Sequence, residues 1–197
     1  MSVTGVLIVG VGGQGIVLAG DVIALAAQLA GMDVKANEVH GMSQRGGSVE
    51  SEVRFGERVF SPLIPPPGAG FLLAFELLEG LRALPKLAPE GTAIINRQRI
   101  VPSSVTYGAA AYPTEIEERL QELCSKLVLV DAAGEATKLG NVRAVNTVLM
   151  GVLASRCEIP VKCWEEALRS TVKPRFIDLN LKAFSAGRRL GERGKEE

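Results

Sequence analysis

"VTGVLIVGVGGQGIVLAGDVIALAAQLAG", residues 3–31, decides the reading of this chain. Residues 3–10 form a short, continuous apolar run rich in β-branched side chains, the pattern of a strand covered on both faces. Gly10, Gly12 and Gly15 follow, and Ile16, Leu18, Ala19, Val22, Ile23, Ala26, Ala27 and Ala30 then recur at helical spacing up to a stop at Gly31. Strand, glycine turn and helix in this order open an α/β domain. In a nucleotide-binding turn the first glycine makes the sharp bend, the second lets backbone approach a pyrophosphate, and the third packs the helix closely. The first N–H groups of the helix then face an anion. A tight turn needs glycines with or without a ligand, however, so the motif leaves both readings open. Gly13 and Gln14 complete the turn, and Gln14 offers an amide to a partner group.

Outward from this unit, "DVKANEV" (33–39) predicts a second strand, parallel to the first because a helix returns the chain. Glu38 follows Gly15 by 23 positions and meets only loosely the acidic residue that a dinucleotide-binding fold places at the end of its second strand. In "SVESEVRFGERVFS" (48–61), Val49, Val53 and Phe55 alternate with Glu50, Glu52 and Arg54, with Ser51 interrupting the apolar face. Alternation around "FGER" predicts a hairpin with one wet face. "PLIPPPGAG" (62–70) reads as a stiff surface loop. Strands follow at 71–75, 92–96 and 126–132, with helices at 76–84 and 114–124, the latter capped by Thr114. The last third, from Asn141, reads as wholly helical. The expectation is a three-layer α/β/α domain with a mainly parallel, Rossmann-like sheet, a β-hairpin and a helical C-terminal third, a single domain over 1–190 and a frayed tail at 191–197.

Lys plus Arg and Asp plus Glu each total 22, so the basic surplus that nucleic-acid binding requires is missing. The most apolar stretch is broken by Gly and Gln14 and runs into Asp21, which reads as neither a membrane span nor a signal peptide and predicts a cytoplasmic protein. Cys124, Cys157 and Cys163 match no metal-binding spacing. An iron–sulfur cluster takes about four thiolates, so no metal site is expected in this chain.

Loops leaving neighbouring strands lie side by side at the carboxyl rim of such a sheet. The glycine turn and "HGMSQRGG" (40–47) are therefore expected to form one composite binding site from Gly10, Gly12, Gly13, Gln14 and Gly15 with Ser43, Gln44, Arg45, Gly46 and Gly47. Arg45 brings a permanent, planar charge suited to phosphate or carboxylate, unless it pairs with Glu38. His40 and Ser43 lack the companions of a catalytic group, so no catalytic residue is assigned. "NTVLMGVL" and the Trp164 region read as core, with a subunit contact as the other reading.

At "GVGGQGIVLAGDVIALAA" and "NEVHGMSQRGGSVESEVRFG", continuing through "FLLAFELLEGLRAL", "GNVRAVNTVLMG" and "KPRFIDLNLKAFSAGRRL", the sequence resembles the gamma-type subunits of 2-oxoacid:ferredoxin oxidoreductases, most of all the indolepyruvate type. Such enzymes convert a 2-oxo acid, coenzyme A and oxidised ferredoxin to an acyl-CoA, carbon dioxide and reduced ferredoxin. The resemblance implies that this chain binds no cofactor alone. Thiamine diphosphate and the iron–sulfur clusters belong to a larger partner subunit, coenzyme A is a co-substrate, and ferredoxin is met only indirectly. It also implies that the composite loop faces the partner's active site. One departure is the absence of acidic residues over Ala69–Phe71, where the family tends to carry them. The competing readings are a free-standing NAD(P)-binding reductase and a non-enzymatic docking module.

Overall fold

The computed structural model describes residues 3–40, 47–101, 105 and 111–193. Among them, six strands form one sheet in the order β2-β3-β1-β4-β5-β6, and seven α-helices pack on its two faces. The strands are β1 (Thr4–Val11), β2 (Asp33–His40), β3 (Ser48–Gly56), β4 (Ala69–Ala74), β5 (Leu87–Asn96) and β6 (Leu127–Val130). The helices are α1 (Ile16–Leu29), α2 (Leu77–Ala83), α3 (Ile116–Leu123), α4 (Ala132–Lys138), α5 (Val145–Ala154), α6 (Val161–Thr171) and α7 (Ile177–Arg193).

The period of two along each strand divides the core. Val6 and Ile8 of β1, Leu73 of β4, Ile94 of β5 and Val130 of β6 face one layer with residues of α1 and α4–α7. Leu7, Val9, Leu72, Ala74, Ala93 and Ile95 face the other with α2 and α3. Double coverage explains why these strands read as unbroken apolar runs. Gly31, with φ 81°, ends α1 as expected.

The expected hairpin at "FGER" does not form. β3 pairs antiparallel with β2 on one side and with β1 on the other, bringing Val39 opposite Glu50 and Val9 opposite Glu50. The antiparallel partner that precedes β3 is β2, and β3 is an interior strand. Its alternating carboxylates are consequently engaged: Glu52 is buried and accepts the Ile64 N–H at 3.1 Å, while Glu50 binds Lys86 at 2.6 Å. Ser51 interrupts the apolar face because α1 passes close there; a Cβ on Gly20 would lie 2.7 Å from the Ser51 hydroxyl. The expected cap at Thr114 also shifts, since Glu115 occupies that position without a side-chain cap. The seven-residue α4 had no sequence signal, being short and rich in Ala and Gly.

α5 is buried from Asn146 to Ala154, enclosed between the sheet and α7. Trp164 is fully buried as well. Their apolarity therefore serves the core of this chain.

Candidate functional site

The carboxyl ends of β1, β4 and β5 meet at one rim and are fastened there by side-chain amides. Gln14 Oε1 accepts the Val11 N–H at 2.7 Å, and Gln14 Nε2 donates to the Phe75 carbonyl at 3.0 Å and to Gln98 Oε1 at 3.2 Å. Asn96 donates to the same Phe75 carbonyl at 3.2 Å and accepts the Ala132 N–H at 3.2 Å. The Gln14 amide, expected to be free for a partner group, thus ties three strand ends together.

The glycines have separate reasons. A Cβ at Gly10 would lie 2.6 Å from Gln14 Oε1 and 2.9 Å from Phe75 Cβ, so this glycine makes room for the amide clamp. Gly13 and Gly15 have φ of 99° and 81°, the left-handed region that side chains avoid. Gly15 caps α1, whose first turn carries no acidic residue.

Gly12 donates to the Gly47 carbonyl at 3.0 Å, so the glycine turn and the end of the second loop share this rim. The reason differs from the one expected: β2 is not adjacent to β1, and it is the antiparallel β3 that brings Gly47 back beside the turn. Ser48 then donates to Glu79 at 2.5 Å, a carboxylate also held by Arg82 at 2.7 Å. The predicted site residues Ser43, Gln44, Arg45 and Gly46 lie outside the described residues. His40 ends β2, its backbone opposite Val49.

A cleft of about 220 Å³ opens beside the turn. Its lining includes Gly13 and Gln14 of the turn, Phe75 and Gln98, and Arg143 and Asn146 at the head of α5. Arg143 is exposed, whereas Asn146 is 8% exposed. Sequence reading assigned neither, because "NVRAVN" opens a long apolar helix; polar residues at the head of an otherwise apolar run were the available signal.

A second buried carboxylate supports the rim from behind. Glu76 is 1% exposed and accepts the N–H of Glu79 at 2.9 Å, the N–H of Ile100 at 3.1 Å and the Tyr112 hydroxyl at 3.0 Å. Burial foremost, and then the Glu76 charge, pushes the Tyr112 phenol up to about 12.

Four further observations limit what the chain does. Glu38 lies opposite Ser51 on β3, two strand spacings, or about 10 Å, from β1. It is therefore displaced from the position beside the turn where a nicotinamide-binding fold places its ribose-binding acid. Among the described residues no group of three or more His, Cys, Asp or Glu is placed to hold a metal ion. Cys124 belongs to the α2/α3 face of the sheet, whereas Cys157 and Cys163 belong to the opposite face, so the thiols do not converge; burial pushes the Cys157 thiol up to about 11. No helix among the described residues is long and apolar enough to cross a membrane.

Residues 5–190 match the family described as pyruvate ferredoxin/flavodoxin oxidoreductase. The chain is 43% identical over 186 residues, 92% of each chain, to the indolepyruvate oxidoreductase subunit IorB of Archaeoglobus fulgidus. Its fold matches the crystal structure of the keto/oxoacid ferredoxin oxidoreductase gamma subunit from Geobacter sulfurreducens, with a TM-score of 0.73 and 22% identity over 96% of this chain and 99% of that one. A 2-oxoglutarate:ferredoxin oxidoreductase from Magnetococcus marinus, solved with 2-oxoglutarate, coenzyme A and succinyl-CoA bound, contains the same fold with a TM-score of 0.75 and 21% identity, over 98% of this chain and 32% of that one.

Proposed function

The chain belongs to the pyruvate ferredoxin/flavodoxin oxidoreductase family, and from that premise we infer that it is a subunit of a 2-oxoacid:ferredoxin oxidoreductase, with an aryl pyruvate of the indolepyruvate kind as substrate. The reaction converts the 2-oxo acid, coenzyme A and oxidised ferredoxin to an acyl-CoA, carbon dioxide and reduced ferredoxin. The observation that carries this reading is the likeness to an indolepyruvate oxidoreductase subunit along nearly the whole of both chains.

Thiamine diphosphate and iron–sulfur clusters supply the decarboxylation and electron-transfer chemistry of such enzymes. The divergent cysteines of this chain do not fit a cluster, which favours a larger partner subunit as the holder of both groups. This chain then contributes the rim. The glycine turn and the loop containing Arg45 face the partner's active site and bind the coenzyme A phosphates or shape the substrate entrance. The donor-rich turn, the absence of acidic residues in the first turn of α1 and the placement of Gly47 beside Gly12 support this arrangement. Displacement of Glu38 from the turn favours it over a conventional nicotinamide site.

Anaerobic purification from the native cell should bring down a larger, cluster-bearing protein with this chain. In the reconstituted complex, Arg45→Ala should raise the KM for coenzyme A several-fold and leave kcat nearly unchanged, while Arg45→Lys should restore charge but only part of the geometry. An unchanged KM in Arg45→Ala would remove this loop from coenzyme A binding.

A further inference from the structure

The cleft beside the glycine turn contains three polar side chains that neither the sequence motifs nor the family relationship assigns: Gln98, Arg143 and Asn146. We propose that this cleft is an oxyanion-binding site, taking a phosphate or carboxylate group of a small anionic ligand, with Arg143 supplying charge and the amides of Asn146 and Gln98 supplying fixed donors.

Asn146 carries the argument furthest. It is 8% exposed, and its Oδ1 accepts the Thr147 N–H at 2.8 Å, the Thr147 hydroxyl donating to Asn180 Oδ1 at 2.5 Å. That engagement orients the amide with Nδ2 toward the head of α1, 3.0 Å from where a Cβ on Gly15 would stand. Nδ2 has no acceptor among the described residues. Asn146 lines the cleft, and its Nδ2 is not among the donors sealed away from solvent without a partner, so it is a fixed donor that a ligand oxygen entering the cleft can take.

Gln98 is oriented in the same sense. Its Oε1 accepts from Gln14 and Asn96, which leaves Nε2 as the outward group. Of Arg143, the backbone N–H is used by Asn141 at 3.0 Å, while its guanidinium forms no ion pair among the described residues. Of the acidic residues near the lining in sequence, Glu76 accepts from the Glu79 and Ile100 N–H groups and the Tyr112 hydroxyl, and Asp131 accepts the Gly134 N–H at 2.9 Å as the cap of α4.

Among the described residues the lining therefore has one cation and no carboxylate. It lies at the N-terminal end of α1, a 14-residue helix, where the aligned peptide dipoles add positive potential. Donors without competing anionic acceptors select an anionic oxygen group; a cation would find no counter-charge. At about 220 Å³ the cleft falls below the roughly 300–1,000 Å³ of pockets that engulf a whole drug-sized molecule. It fits a charged terminus whose remainder extends out of the rim. The inference rests on the function proposed above only for the identity of that molecule; the donor set belongs to this chain.

Calorimetric titration of the full chain with inorganic pyrophosphate, coenzyme A and an aryl pyruvate separates the sources. Pyrophosphate should bind, and Arg143→Ala, an exposed position that should leave folding intact, should weaken it at least tenfold. Arg143→Lys should recover part of the loss. Asn146→Asp, which places a carboxylate at the donor's position, should abolish binding while far-UV circular dichroism remains that of the parent.

In the assembled complex, Arg143→Ala should raise the KM of whichever substrate supplies the group: coenzyme A for a phosphate, the 2-oxo acid for a carboxylate. Absence of pyrophosphate binding together with an unchanged KM for both substrates would overturn the site, as would equal pyrophosphate affinity in parent and Arg143→Ala. Binding that survives in a complex unable to oxidise any 2-oxo acid would retain the site and reject the enzymatic assignment.

Discussion

Gln14 shows how much one side chain can decide. Its amide serves three acceptors and donors at once, and its replacement by Ala leaves the Val11 N–H and the Phe75 carbonyl without this partner. Gln14→Ala should therefore lower unfolding stability by about 1–3 kcal/mol, read by denaturant or thermal unfolding. Gly15→Ala should cost a further roughly 1–2 kcal/mol through its left-handed φ of 81°. The glycines were legible because a sharp turn restricts residue type locally. The destination of the Gln14 amide was not, because its partners Phe75 and Gln98 lie 61 and 84 positions away. Tyr112 adds a pH signature. Its folded-state value near 12 exceeds the ordinary phenol value of about 10, so the neutral form is favoured by folding. That stabilisation is complete below about pH 10 and is lost as pH rises toward about 12. Tyr112→Phe should flatten the alkaline limb of a stability profile and lower stability across the neutral region, where it removes the hydroxyl that the buried Glu76 accepts.

At the scale of elements, periodicity located most strands and helices but misassigned the environment of β3. Alternating charge normally marks a strand with one wet face; here Glu50 and Glu52 are held by Lys86 and by the Ile64 N–H, partners no local pattern reveals. α5 and α7 supply a sharper example. A Cβ on Gly187 would overlap the Val148 carbonyl, and one on Gly151 would overlap the Phe184 carbonyl, so these helices cross at backbone contact. Gly187→Ala should destabilise by about 1–3 kcal/mol or more, despite Ala being the better helix former. A thermal melt equal to that of the parent would contradict the crossing. Because α5 carries Asn146 and continues from the Val142–Ala144 turn that holds Arg143, the same substitution should also weaken pyrophosphate binding.

For the whole molecule, the sheet order fixes what the rim can do. Insertion of β3 between β1 and β2 displaces Glu38 from the glycine turn and brings Gly47 beside it. The isolated chain should accordingly show no turnover of a 2-oxo acid, with activity appearing on addition of the larger, cofactor-bearing subunit; steady anaerobic ferredoxin reduction by the chain alone would refute the division of labour proposed here.

By itself the sequence determined the βα opening, the layered α/β class and the family, because these depend on residue type at short spacing and on motifs that run along the chain. Only the tertiary structure decided that β3 is interior, that Gln14 is a clamp and that Arg143, Asn146 and Gln98 share one cleft. Those facts depend on which strand ends become neighbours, and pairing across tens of residues is set by competition for burial throughout the core, with no local trace in the sequence.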